Sequence, residues 1–177
     1  LFPGILMILP VRKYGDPLLR KKMPPVASWQ DVIPYIPDMI ETMYDDDGIG
    51  LSANQAGIEQ RFFVIGKSAF GDGRPDSVFI DPEILAASDE DWEYEEGCLS
   101  VPGIREVVIR PYAIKVSYTD ETGQTREEEL RDLAARVFQH ELDHLNGIFF
   151  VDRISAIRRS LIKNKLKAIS KQYSPIK

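Results

Sequence analysis

The chain has 177 residues, a net charge of −6, two histidines and one cysteine. That length suits one domain with a sizeable core, and a composition 44% hydrophobic and 28% charged excludes a disordered or fibrous chain. A lone cysteine excludes a disulfide-stapled scaffold, no uncharged run reaches the roughly 18 residues that span a bilayer, and an acidic chain is a poor coat for nucleic acid.

The charge is unevenly spread. Eight of the 22 basic residues and none of the 28 acidic ones fall in residues 153–177, so residues 1–152 carry a balance of −14. An acidic body bears a basic C-terminal segment. The first methionine is Met7, and residues 1–6 are read as preceding the natural start. They lack the charged start and apolar stretch of an export signal, which points to the cytoplasm.

In chain order, Tyr14-Gly-Asp-Pro17 reads as a turn. Ile33, Ile36, Ile40 and Met43 recur at helical spacing, and Pro34 and Pro37 confine the start of that helix, because proline is tolerated only in a first turn. A glycine-bearing loop follows over 47–55. Strands are expected at 61–65, 78–80, 105–109 and 113–119, with Asp120-Glu-Thr-Gly123 turning the chain into a strand over 125–130. The acidic stretch 89–96 lacks the ordered oxygens and central glycine of a calcium loop and reads as a solvated charged face. A helix starts near Asp132, taken as its N-cap, and stops at Asn146-Gly147. A last helix runs from Ile154 to about Ser170, with Ile154, Ile157, Leu161 and Ile169 on one face. Clustered strands without regular strand–helix alternation predict an α+β fold.

The helix from Asp132 contains His140-Glu-Leu-Asp-His144, an H-E-x-x-H pattern. Residues four apart share a helical face, so both imidazoles can converge on one ion, with Glu141 beside it as a base instead of a ligand. Leu133 and Val137 continue that face toward the N-terminus. Chance spacing of two histidines would yield the pattern in roughly one chain in a thousand, so a metal site is the stronger reading. Such a site needs a third protein ligand and keeps one position open. There is no third histidine. Cys98, in Glu96-Gly-Cys-Leu-Ser100, is the best soft donor, although taken alone it is as readily a small buried apolar residue. Cys98 as a nucleophile paired with histidine would compete for the same three residues. Gly48-Ile-Gly-Leu-Ser-Ala53 fits a dinucleotide-binding pattern, but Asp45, Asp46 and Asp47 precede it and would repel a pyrophosphate.

Three motifs in order, Gly48-Ile-Gly-Leu-Ser-Ala-Asn-Gln55, Glu96-Gly-Cys-Leu-Ser100 and Gln139-His-Glu-Leu-Asp-His144, resemble those of the peptide deformylases. The resemblance runs from about Met7 to Ile154 and takes in Val101-Pro-Gly-Ile-Arg105 and Leu145-Asn-Gly147. It implies one catalytic domain over 1–177, with antiparallel or mixed sheets around a central helix carrying H-E-x-x-H and a basic amphipathic helix over 154–172. It implies Cys98, His140 and His144 as ligands of one divalent transition metal, Fe²⁺ in the cell, with Zn²⁺, Ni²⁺ or Co²⁺ in purified protein. Glu141 becomes the general base, and Gln55 with the Leu99 backbone N–H the oxyanion donors. Ile49, Gly50 and Gly97 would line a cleft for an extended peptide. Leu133 and Val137 would receive the methionine side chain, and Arg105 would reach polar groups of the substrate. The implied reaction removes the N-formyl group from the initiator methionine of nascent polypeptides and releases formate.

In some members of that family a C-terminal helix docks on the ribosome, which makes ribosomal RNA the partner to expect for the basic tail; the plainer reading is a solvent face. Two departures stand out. Ser52 replaces a common alanine, and Asn54 stands where proline or threonine is more usual. The alternatives are an H-E-x-x-H metallopeptidase that cuts internal amide bonds and a non-catalytic metal-binding module on the ribosome, which would need neither Glu141 nor Gln55.

Overall fold

The computed structural model describes residues 6–173. Its strands are β1 (Gly50–Ser52), β2 (Phe62–Ile65), β3 (Ser77–Ala87), β4 (Asp91–Cys98), β5 (Val101–Pro111), β6 (Ala113–Thr119) and β7 (Thr125–Arg131). Its α-helices are α1 (Ile36–Asp45), α2 (Asp132–Leu145) and α3 (Ala156–Tyr173). One sheet has the order β1-β2-β3-β6-β7; β4 and β5 form a hairpin of their own. Every pairing is antiparallel, so the expected α+β class holds. Residues 1–5 and 174–177, which include Lys177 of the basic tail, lie outside the described residues.

β2 shows how the sheet is held. All four of its residues, Phe62-Phe-Val-Ile65, are buried. Side chains alternate across a strand, so Phe62 and Val64 join Met39 and Met43 of α1, while Phe63 and Ile65 join Val137, Phe138 and Leu142 of α2. A strand covered on both faces reads as a continuous apolar run. Phe138 meets Phe63 and Phe79 edge-on, at centroid separations of 5.0 and 5.2 Å. In α2 every residue from Ala134 to Leu145 except His140 is buried. The helix that carries both histidines is therefore anchored from Ala134 to its C-terminal end.

The structure corrects several expectations. Asp132 does not cap α2: Arg131 occupies the cap position without a side-chain bond, and Asp132 has φ of +51°. β7 runs directly into the helix, and the Asp132 N–H bonds instead to the Tyr112 carbonyl at 3.2 Å. The glycine-bearing loop contains β1, and the acidic stretch 89–96 forms most of β4. The far end of α2 is as expected. Gly147 takes φ of +76°, and a β-carbon there would fall 2.4 Å from the Arg20 carbonyl oxygen, so only glycine fits.

The apolar face of α3 is also different. Ile162, Leu166 and Ile169 are buried against Leu19, Val108, Phe149 and Phe150, while Ile157 and Leu161 are 77% and 78% exposed. Ile154 precedes the helix, so it cannot set the helical phase. Residues 161 and 169 are eight apart, which at about 3.6 residues per turn leaves them about 80° out of line. Positions 162, 166 and 169 follow the i, i+4, i+7 rule. Among the described residues, no helix is long and apolar enough to cross a membrane.

Candidate metal centre

Two elements build the site. α2 contributes His140, Glu141 and His144, and the β4–β5 hairpin contributes Glu96 and Cys98. Residues i and i+2 of a strand face the same way, so Glu96 and Cys98 both reach toward α2. The β4–β5 register shifts between them, the kind of irregularity common beside functional sites.

Cys98 Sγ lies 3.1 Å from His144 Nε2, which lies 3.2 Å from His140 Nε2. The three donor atoms all fall within 4.8 Å of one another. A tetrahedral site with ordinary metal–nitrogen and metal–sulfur bonds has edges of about 3.3–3.6 Å. One thiolate and two imidazole nitrogens at this spacing fit a divalent transition metal with small adjustments. No other grouping of three such side chains close enough for this occurs among the described residues.

The histidines are oriented from behind. Glu96 Oε2 lies 2.9 Å from His140 Nδ1, which fixes the ring proton at Nδ1 and leaves Nε2 a lone pair. Arg110 grips Glu96 through two bonds of 2.6 and 3.0 Å, and Arg136 adds a third at 2.9 Å. Arg110 also donates to Asp143 at 2.7 Å, and Asp143 accepts from Arg153 at 2.5 Å. Burial would raise the Glu96 carboxyl, but His140 and Arg110 outweigh it and hold the group well below the usual range. Burial likewise opposes a charge on His140, but Cys98 and Glu96 lift its pKa well above 6.5. Burial and the adjacent His140 charge push His144 well below that value. A metal at Nε2 would displace the second proton that these neighbouring charges favour on the His140 ring. The His144 ring packs edge-on to Phe149, and its carbonyl accepts from Asn54 Nδ2 at 2.7 Å.

Glu141 stands beside the donors. Its Oε2 is buried without a hydrogen-bond partner, and burial raises its carboxyl pKa to about 7. Gln55 approaches from the 3-10 turn after β1, donating to Ser100 Oγ at 3.0 Å, with Cys98 Sγ 3.6 Å away.

These groups open onto a cleft of about 670 Å³. Ile49, Gly50, Gln55, Gly97, Cys98, Leu99, Arg105, Leu133, Val137, His140 and Glu141 all line it. His144 lies behind, fully buried. Gly50 is pressed against the site: a β-carbon there would come within 2.6 Å of Glu141 Oε1 and 2.7 Å of Val137 Cγ1. Arg105 extends past Gly97 to a 3.6 Å ion pair with Glu95. Sequence reading missed the buried charges Glu96, Arg110, Arg136 and Asp143. Two clues were available, since Glu96 sits inside the second motif and Asp143 inside the third.

Comparison with known proteins places this arrangement. The sequence profile described as polypeptide deformylase matches residues 8–160. This chain belongs to the polypeptide deformylase family. A peptide deformylase of Cytophaga hutchinsonii is 43% identical over 169 residues, covering 93% of this chain and 92% of that protein. One from a Thermotoga species is 49% identical over 162 residues, covering 91% and 96%. The crystal structure of the peptide deformylase from Thermotoga maritima matches with a TM-score of 0.78 at 48% identity, covering 84% of this chain and 99% of that one. The enzyme from Thermus thermophilus matches with a TM-score of 0.86 at 39% identity, covering 94% and 99%.

Proposed function

We propose that Cys98, His140 and His144 hold one divalent metal ion and that Glu141 works beside it as general base in this family's reaction, hydrolysis of the N-formyl group from the N-terminal methionine of a polypeptide. The observation that carries the assignment is the convergence of Cys98 Sγ and both Nε2 atoms within 4.8 Å, next to a buried carboxylate oxygen without a partner. The ion, when bound, supplies Lewis acidity that makes a water nucleophilic near neutral pH.

Glu141 takes the proton of the attacking water and returns it to the departing amine. Burial suits it to the task, since a carboxylate with a pKa near neutrality exchanges protons readily at physiological pH. Gln55 Nε2 and the Leu99 N–H donate to the oxygen that gains charge as the formyl carbon is attacked. One such donor is typically worth about 3 kcal/mol. The peptide lies extended along Ile49, Gly50 and Gly97, and main-chain pairing makes it tolerant of sequence. Leu133 and Val137, which line the cleft beside His140, take the methionine side chain, and Arg105 at the exposed end meets polar groups.

Iron(II) is the ion assigned in the cell on the resemblance to the family; a mixed sulfur–nitrogen set accepts several metals, and affinity order alone does not select iron. Zn²⁺, Ni²⁺ and Co²⁺ should substitute. Residues 1–177 are read as one catalytic domain working in the cytoplasm, where nascent chains emerge. Ribosomal RNA is the partner assigned to the tail, through the exposed Lys163, Lys165, Lys167 and Lys171. Arg153, Arg158 and Arg159 are engaged elsewhere, with Asp143, Glu106 and Asp152. Replacing those four lysines by glutamate should abolish salt-sensitive co-sedimentation with ribosomes.

Formate release from formyl-Met-Ala-Ser, compared with the unformylated peptide, tests the activity. Formate from the first and no cleavage of the second supports the reading; internal cleavage without formate contradicts it.

A further inference from the structure

Resting on the reading of Gln55 as a donor to the formyl oxygen, we propose that Ser52 is a positioning residue that locks the orientation of the Gln55 side-chain amide. The two ends of a glutamine amide have nearly the same shape but opposite hydrogen-bonding character. With its NH₂ toward the substrate, Gln55 stabilises developing negative charge. Flipped, it presents an oxygen and repels that charge.

Ser52 occupies both lone pairs of the amide oxygen. Gln55 Oε1 accepts from the Ser52 backbone N–H at 3.0 Å and from the Ser52 hydroxyl at 2.8 Å. The backbone half of this grip is what a Ser-x-x-Gln capping box supplies. The other end, Nε2, donates to Ser100 Oγ at 3.0 Å, and its second hydrogen is left on the Cys98 side at 3.6 Å. A flip would set NH₂ against the Ser52 N–H, donor against donor, in a site where Gln55 is only 2% exposed.

The hydroxyl could be diverted, because Asn54 Oδ1 lies 3.0 Å from Ser52 Oγ and the hydroxyl has one hydrogen. Asn54 cannot turn its NH₂ to Ser52 as a substitute, since that group donates to the His144 carbonyl at 2.7 Å. The shorter contact is the one to Gln55. The one hydroxyl hydrogen therefore goes to the Gln55 amide oxygen, while Asn54 is held separately by its bond to the His144 carbonyl.

The test is Ser52→Ala in the Zn²⁺-loaded, ¹⁵N-labelled protein, alongside Gln55→Ala. In Ser52→Ala the Gln55 side-chain NH₂ protons should exchange with solvent about tenfold faster, as expected for loss of one net hydrogen bond. Its kcat for formyl-Met-Ala-Ser should fall about tenfold while KM stays within about twofold, because only the donor to the transition state is loosened. A merely structural Ser52 would lower thermal stability and leave kcat per metal-loaded molecule unchanged. Unchanged Gln55 amide exchange in Ser52→Ala overturns the proposal. Unchanged kcat in Ser52→Ala also overturns it where Gln55→Ala lowers kcat. If Gln55→Ala itself leaves kcat intact, the reading of Gln55 as a donor fails, and the amide exchange still decides whether Ser52 holds it.

Discussion

Glu96 Oε2 lies 2.9 Å from His140 Nδ1, and this contact ties the β4–β5 hairpin to the helix that carries both histidines. It also joins the site to a buried charge network in which Glu96, Arg110, Arg136 and Asp143 neutralise one another at no more than 7% side-chain exposure. The hairpin delivers Cys98 and the helix delivers His140 and His144, so the network holds in register the two halves of one donor set.

Glu96→Gln should therefore damage binding and stability together. Losing the carboxylate behind a metal-ligating histidine typically lowers metal affinity by about 10–100-fold. It also leaves two buried guanidinium groups facing one carboxylate, and breaking a buried pair typically costs about 3–5 kcal/mol. Competitive metal titration and urea unfolding measure the two effects. Wild-type values for both would show that the network is idle.

Glu141→Gln should separate chemistry from binding. The amide keeps the shape and cannot accept the proton, so kcat should drop by a factor of about 10²–10⁴. Metal content and the far-ultraviolet circular dichroism spectrum should stay those of the wild type. Parallel loss of metal would instead make Glu141 a ligand.

Gly50→Ala should cost activity more than stability. The added carbon would fall 2.6 Å from Glu141 Oε1 and 2.7 Å from Val137 Cγ1, so the carboxylate must shift. Displacing a reacting group by about 1 Å can cost about 100-fold in kcat/KM. Steady-state kinetics and a melting curve on the same preparation check the contrast.

Acid should destabilise the fold below about pH 4. Burial works to raise the Asp152 carboxyl, but Arg20, the Phe149 N–H and Arg159 hold it below its ordinary 3.8. Glu96 is depressed in the same way from 4.5. A carboxyl depressed in the folded state contributes stability that is complete above its unfolded value and lost as pH falls through its folded one. Glu141 has the opposite sign. With a pKa raised to about 7, it costs the metal-free protein stability as pH rises from 4.5 through neutrality. Urea midpoints across pH should show an acid limb that Asp152→Asn flattens, and in metal-free protein a neutral limb, to which His140 also contributes, that Glu141→Gln reduces.

Much of this was legible in the sequence where one local rule acts alone. The i, i+4 spacing of His140 and His144 located the paired imidazoles, and Asn146-Gly147 marked the end of α2. What escaped depends on contacts between distant segments. β1 has three residues and no periodicity to read, and it exists because β2 pairs with it. In the sequence Glu96 is one more charge in an acidic run; its role depends on Arg110 and Arg136, on other elements, which enclose it. The buried face of α3 differs from the expected one because Ile154 lies outside the helix, and tertiary contacts with Leu19 and Phe149 select Ile162 and Leu166 in place of Ile157 and Leu161.

Activity of this cleft as a formyl-peptide hydrolase should depend on one ion held by Cys98, His140 and His144. That dependence is tested most directly by formate release from formyl-Met-Ala-Ser before chelation, after chelation and after one equivalent of divalent metal is restored, in the wild type and in Cys98→Ala. Activity should vanish on chelation and return with one equivalent in the wild type, while Cys98→Ala stays inactive and fails to retain the metal. Formate release that survives complete metal removal would rule out a metal-dependent reaction at this site.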